Sequence, residues 1–136
     1  MKITFLGHAT LEIQINEFNL LVDPFISGNP MASEINLDDL KPDFILISHA
    51  HQDHTLDVEK LAKDNNSLII SNFEIVSHFQ KKGLNGHPMN HGGMWNFDFG
   101  ELKYVNAIHT STFPDGSNGG QPGGFIITSN NKSIYI

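Results

Sequence analysis

The sequence predicts an α/β fold, on three observations. Near the N terminus, two short strand-like runs flank a polar turn, as in a hairpin. Further on, Phe44-Ile45-Leu46-Ile47 is a continuous apolar run between Pro42 and a polar cluster, the pattern of a strand buried on both faces. After it, helix-like segments alternate with further short strands.

The elements follow in order. Residues 2–6 read as a short strand. Leu11-Glu12-Ile13-Gln14-Ile15 alternates apolar and polar, the period of a half-buried strand. Asn16-Glu17 is the turn, and 18–22 runs almost wholly apolar into Asp23-Pro24. Pro24, Gly28, Pro30 and Pro42 mark 24–42 as a loop. The buried strand over 44–47 then delivers the chain to Ser48-His49-Ala50-His51-Gln52-Asp53-His54. A helix is expected over 55–64, with Leu56, Leu61 and Ala62 inward, and a strand over 67–71. Asn72 is the expected N-cap of a helix over 73–82, and Lys81-Lys82-Gly83 ends it with cations at the negative pole and Gly beyond. The stretch 83–94, rich in Gly, Pro and Asn, carries no predicted element. Strands follow over 95–100, 101–108 and 124–129. A hairpin turn at Asn130-Asn131 leads to a last strand over 133–136. That strand stops in mid-run, so residues 1–136 read as one domain truncated at its C terminus.

Composition narrows the function. There are 8 basic residues, all Lys, against 15 acidic ones, for a net charge of −7. A basic nucleic-acid face is disfavoured, and bidentate Arg recognition of phosphate is ruled out for this chain. No run of about 18 apolar residues suggests a membrane span, and the first residues lack a signal peptide's apolar core. There is no cysteine, hence no disulfide and no thiolate ligand, and the cytoplasm is the expected location.

The eight His are the compositional outlier. His49-x-His51-x-Asp53-His54 packs four metal-binding side chains into six positions at the carboxyl end of a buried strand, where α/β sheets gather their ligand sites. In extended chain His49 and His51 point to the same side, so both reach one cation. Asp53 and His54 are adjacent and are expected to point apart. Neutral imidazole plus carboxylate suits zinc, and also manganese or iron. Chance produces such a cluster in roughly one chain of this composition in 500, which favours a ligand set over a solvated loop. His109, at another strand end, is the candidate third imidazole. Asp23 is a candidate to orient a ligand His through its second ring nitrogen without touching the cation, and His8, after a strand and Gly7, is a similar candidate. His78 reads as structural or solvated, and His87 and His91, in the stretch 83–94, are weaker candidates to line a cleft. The run from Gly116 to Gly124 lacks the Lys-Ser/Thr ending of a phosphate-cradling loop.

These residues resemble the metallo-β-lactamase superfamily. Ile3-Thr4-Phe5-Leu6-Gly7-His8-Ala9-Thr10, Leu21-Val22-Asp23-Pro24-Phe25, Ser27-Gly28-Asn29-Pro30, Met89-Asn90-x-Gly92-Gly93 and Ala107-Ile108-His109-Thr110-Ser111 are similar to a bacterial branch of metal-dependent hydrolases related to the ascorbate-phosphate lactonases. The resemblance implies the N-terminal half of an αββα sandwich with two divalent metals between its sheets. It implies His49, His51 and His109 on the first metal and Asp53 and His54 on the second, with Asp53 also catalytic. The family's bridging Asp and its late His ligand are absent from the sequence given, so the second site is expected to be incomplete. The implied activity is hydrolysis of a small ester, lactone or phosphoester by an activated water. The alternatives are an inactive half-domain that binds metal weakly, a nuclease, and a redox or sulfur-transfer member. A small-molecule substrate is expected, and neither a nucleic acid nor a membrane partner. Homo-oligomerisation is also expected, because half a sandwich leaves a sheet face uncovered.

Overall fold

The computed structural model describes residues 1–136. The central apolar runs become strands with two dry faces. The first sheet contains, in spatial order, β1 (Lys2–Gly7), β2 (Thr10–Ile15), β3 (Phe18–Val22), β4 (Phe44–Leu46), β5 (Leu68–Asn72) and β6 (Gly86–Met89). The pairings β1–β2 and β2–β3 are antiparallel, and those from β3 to β6 are parallel, with Val22 beside Leu46 and Leu46 beside Ile70. The second sheet is antiparallel, built from β7 (Met94–Phe97), β8 (Gly100–Asn106), β9 (Gly123–Ser129) and β10 (Lys132–Tyr135) in consecutive order. The helices are α1 (Gln52–Thr55), α2 (Val58–Asn65) and α3 (Phe73–Gln80), none of them long and apolar enough to cross a membrane.

Side chains alternate across the first sheet into two cores. Leu21, Ile45, Ile47 and Ile69 pack with Val58, Leu61, Ile75 and Phe79 of the helices. Leu20, Val22, Phe44, Leu46 and Ile70 pack with Phe99, Leu102, Tyr104, Phe125 and Ile127 on the other side. Each fully buried side chain of this size contributes about 1.5–3 kcal/mol.

The expected helix over 55–64 is two helices. The chain turns helical already at Gln52, so Asp53 and His54 lie on a helical turn. The break falls at Asp57, whose buried carboxylate accepts hydrogen bonds from Ile26 N (2.6 Å) and Ser27 N (3.0 Å) and from the Ser27 hydroxyl. The Asn72 cap forms as expected, its Oδ1 accepting from Ile75 N at 2.9 Å. An unexpected strand, β6, runs through the stretch read as a loop; Gly86 and Pro88 disguised it, and Pro is tolerated there because the strand is at the sheet edge. β8 ends at Asn106, so His109 lies three residues beyond its strand rather than at its end. Helices cover one face only. The outer face of the second sheet carries none and leaves Met94 57% and Tyr135 69% exposed. The layers present are therefore αββ.

Candidate metal centre

Parallel strands bring their carboxyl ends to one edge, and the candidate residues come from that edge. Asp23 follows β3, the segment 48–54 follows β4, His8 follows β1, and His109 lies on the segment leaving β8. The imidazoles of His49, His51 and His109 converge, with ring centroids 4.6, 4.7 and 5.1 Å apart pairwise. One nitrogen from each lies within 4.8 Å of the others. His49 Nε2 is 3.1 Å from His51 Nδ1, so those two atoms face a common point.

The second ring nitrogens fix the tautomers. The Ser48 hydroxyl donates to Asp23 Oδ2 at 2.6 Å, so its oxygen accepts from His49 Nδ1–H at 2.9 Å. The Nε2 lone pair of His49 is thereby left free. His51 Nε2 lies 3.3 Å from Thr110 Oγ1, which leaves Nδ1 for the common point. His54 Nδ1 donates to Asp23 Oδ2 at 3.0 Å, so its Nε2 faces outward. Asp23 itself is 4% exposed and also accepts from Ser48 N at 2.7 Å through Oδ1. One carboxylate thus orients His54 directly and His49 through Ser48, the outer arrangement typical of metal-binding His. Its backbone is left-handed, with φ +45°, and is held by Asp23 N donating to Leu46 O at 2.9 Å and Thr10 Oγ1 donating to Asp23 O at 2.8 Å.

The loop bearing His109 is clipped down by Ser111. Its Oγ accepts from Ala50 N at 3.1 Å, between the two leading imidazoles, and donates to Gly119 O at 2.9 Å. Ser48, Ser111 and Thr10 were not singled out in the sequence. A hydroxyl beside a ligand His or in a Gly-rich loop gives no local signal of its partner.

A second group forms alongside. His8 Nε2 lies 3.0 Å from Asp53 Oδ2, and His54 Nε2 lies 3.9 Å from the same oxygen. The expectation that Asp53 and His54 point apart is corrected: on the turn of α1 both reach one point. The other imidazoles lie elsewhere. His78 stacks on Phe113 at 3.8 Å, His87 meets Trp95 and Phe97, and His91 stacks on Tyr104 with Nε2 2.9 Å from Pro122 O.

The donor set fits a divalent cation. Burial, with the neighbouring His54, pushes His49 down to about 4, so its ring is neutral at pH 7. Burial pushes Asp53 up, but His54, His8 and its own backbone outweigh it and hold the carboxyl below the usual range. Both groups therefore sit in their ligand forms.

One consequence is a pH-dependent stability. The folded chain resists protonating His49 down to about pH 4, whereas the unfolded chain takes that proton near the ordinary 6.5. Below that value the unfolded state binds more protons. The melting temperature of the metal-free chain is expected to fall as pH drops from 6.5 toward 4, and His49→Gln to remove part of that slope in a calorimetric series.

A family model described as "Beta-lactamase superfamily domain" matches residues 2–135. The chain belongs to this superfamily. The relatives include a "UPF0173 metal-dependent hydrolase" of Flavobacterium johnsoniae, 60% identical over all of this chain and 60% of its own length. Another, from Christiangramia forsetii, is 58% identical over all of this chain and 61% of its own. The chain therefore spans about three-fifths of the length of the curated relatives it matches. Among solved structures, the metallo hydrolase Igni18 of Ignicoccus hospitalis superposes with a TM-score of 0.83 at 28% identity, over 98% of this chain and 58% of that one. An isothiocyanate hydrolase from Delia radicum gut bacteria shares the fold, with a TM-score of 0.76 at 23% identity over 99% of this chain and 61% of that one.

Proposed function

We propose that this chain carries the cation-binding part of a hydrolase acting on a small ester, lactone or phosphoester. The observation that carries the reading is the convergence of the His49, His51 and His109 ring nitrogens within 4.8 Å, with the free nitrogens of His49 and His51 set by outer hydrogen bonds. The curated relatives, metal-dependent hydrolases by name, support the metal-dependent hydrolase part of it. Two divalent ions are proposed, zinc being the leading choice for an imidazole and carboxylate set without thiolate, and manganese or iron the others. Bound cations of this kind supply Lewis acidity, polarising a carbonyl or phosphoryl oxygen and acidifying water toward neutral pH.

The residues of the chain do the rest. His49, His51 and His109 would hold one cation through their converging ring nitrogens. Asp53, ionised and with its side chain 47% exposed, faces solvent, where it orients the attacking water and holds its proton. A shallow, open recess lined by Phe25, Gly28, Gln52, Asp53 and Leu56 lies beside it. The net charge of −7 and the lack of Arg argue against a nuclease. The cysteine-free composition keeps the cytoplasm as the proposed location.

The test is hydrolysis of p-nitrophenyl esters, lactones and phosphodiesters by zinc-loaded protein. Turnover is expected to drop at least about 10³-fold in the His49→Ala, His51→Ala double variant, several kcal/mol of transition-state stabilisation. Unchanged turnover sinks the reading.

The uncovered outer face of the second sheet supports self-association of this chain. Tyr135 pairs across the sheet with Ile126, Ile126 with Lys103, and Lys103 with Met94, an apolar row with one cation. Light scattering is expected to show mass rising with concentration, and Ile126→Lys to suppress it. A monomer at all concentrations contradicts this.

A further inference from the structure

We propose that His8 is a cation ligand, completing with Asp53 and His54 a second divalent-cation site that this chain holds by itself. The proposal rests on the metal-dependent reading above and deepens it. The sequence placed His8 outside the ligand shell and left the second site incomplete.

The geometry is that of three donors around one point. One donor atom from each of His8, Asp53 and His54 lies within 4.8 Å of the others, with His8 Nε2 3.0 Å and His54 Nε2 3.9 Å from Asp53 Oδ2. Ligands at bond lengths of about 2.0–2.2 Å on a zinc-sized ion stand about 3–3.5 Å apart, so small side-chain shifts close the triangle. His54 Nε2 is free to face this point because Nδ1 is committed to Asp23.

The backbone aims His8 at this point. β1 is irregular between Phe5 and Gly7, Gly7 has φ +107°, and His8 itself has φ +53°. The φ of +107° favours glycine at residue 7, and a Cβ there would also stand 2.9 Å from Asn29 Nδ2. A left-handed His costs about 1 kcal/mol, and such strain gathers where a side chain must point one way. The ring is then held edge-on between Phe25 at 5.7 Å and His54 at 5.1 Å. A half-exposed His–Asp pair on a surface needs none of this and contributes little. With two imidazoles and one carboxylate the site takes a borderline divalent ion: zinc, manganese, iron(II) or, as a probe, cobalt(II).

The test is titration of the metal-stripped chain with zinc by calorimetry, and with cobalt(II) by visible absorption, the bound ions being counted by elemental mass spectrometry. The wild type is expected to bind two ions per chain in two steps. His8→Asn keeps a residue that tolerates the left-handed backbone, and His8→Gly removes the strain altogether. In both, the second step is expected to weaken at least tenfold or vanish while the first is unchanged, and the cobalt band of the second step is expected to disappear. Circular dichroism melts of the metal-free variants check that they fold; because neither variant adds strain at the left-handed backbone, an effect common to both reports the lost ring. A second step unchanged in both variants overturns the proposal, as does a wild type that binds one ion. A wild type that binds none overturns the metal reading itself.

Discussion

Asp23→Ala is expected to unfold the outer frame of the site and lower the stability of the chain by about 3 kcal/mol. The carboxylate is buried and accepts from Ser48 N, Ser48 Oγ and His54 Nδ1. Truncation leaves these donors without their partner, and each buried unsatisfied group costs about 1–3 kcal/mol. Alanine is also strained at φ +45°. Asp23→Asn separates stability from binding, because Asn tolerates that backbone and keeps the shape. Its amide puts an N–H where Ser48 Oγ and His54 Nδ1 now donate. His54 then avoids a donor clash by moving its proton to Nε2, the nitrogen that faces Asp53. Cation affinity is expected to fall about 10–100-fold, the usual effect of losing an outer partner, with a smaller loss of stability than in Asp23→Ala. Calorimetric titration and a thermal melt on both variants check the split; equal affinity in wild type and Asp23→Asn contradicts it.

Gly123→Ala is expected to loosen the contact between the two sheets at the site. Gly123 N donates to Ser48 O at 2.9 Å, tying the start of β9 to the residue that orients His49. A Cβ there would enter the ring of Tyr104, which is fully buried in the inter-sheet core. Tyr104 has little room to yield, since it packs between Phe125 and His91 at centroid distances of 5.3 and 5.1 Å. Overpacking of this kind costs about 1–3 kcal/mol. The expected result is a lower melting temperature, with weakened cation binding because Ser48 shifts with the displaced strand. Tyr104→Leu in the same chain is expected to recover part of the loss by making room. A Gly123→Ala protein as stable as the wild type refutes the close approach.

The parts of this account legible in the sequence are those written in local patterns. The two dry faces of Phe44-Ile45-Leu46 follow from an unbroken apolar run, and the cap at Asn72 follows from its place before a helical period. The His49-x-His51-x-Asp53-His54 cluster is dense enough to be seen without a fold. The parts that stayed hidden depend on distant partners. β6 is a strand because β5 offers it a ladder, although its own Gly and Pro oppose one. Asp57 breaks the expected helix because its carboxylate serves backbone donors about 30 residues away, at Ile26 and Ser27. His8 lies far from Asp53 in sequence and reaches it only because β1 runs parallel to β3 in the folded sheet. Asp23 is a candidate in the sequence from its place at a strand end and in the superfamily-like run Leu21-Val22-Asp23-Pro24-Phe25, and only the structure joins it to both Ser48 and His54.

The central claim is that His49, His51 and His109 form a cation site in the folded chain. The most direct measurement is the metal content of the purified 136-residue chain after dialysis, by elemental mass spectrometry, beside His109→Ala. The account predicts at least one tightly held divalent ion per wild-type chain and a clear loss in the variant. A well-folded wild-type chain that retains no metal, or a variant that retains as much as the wild type, would contradict it.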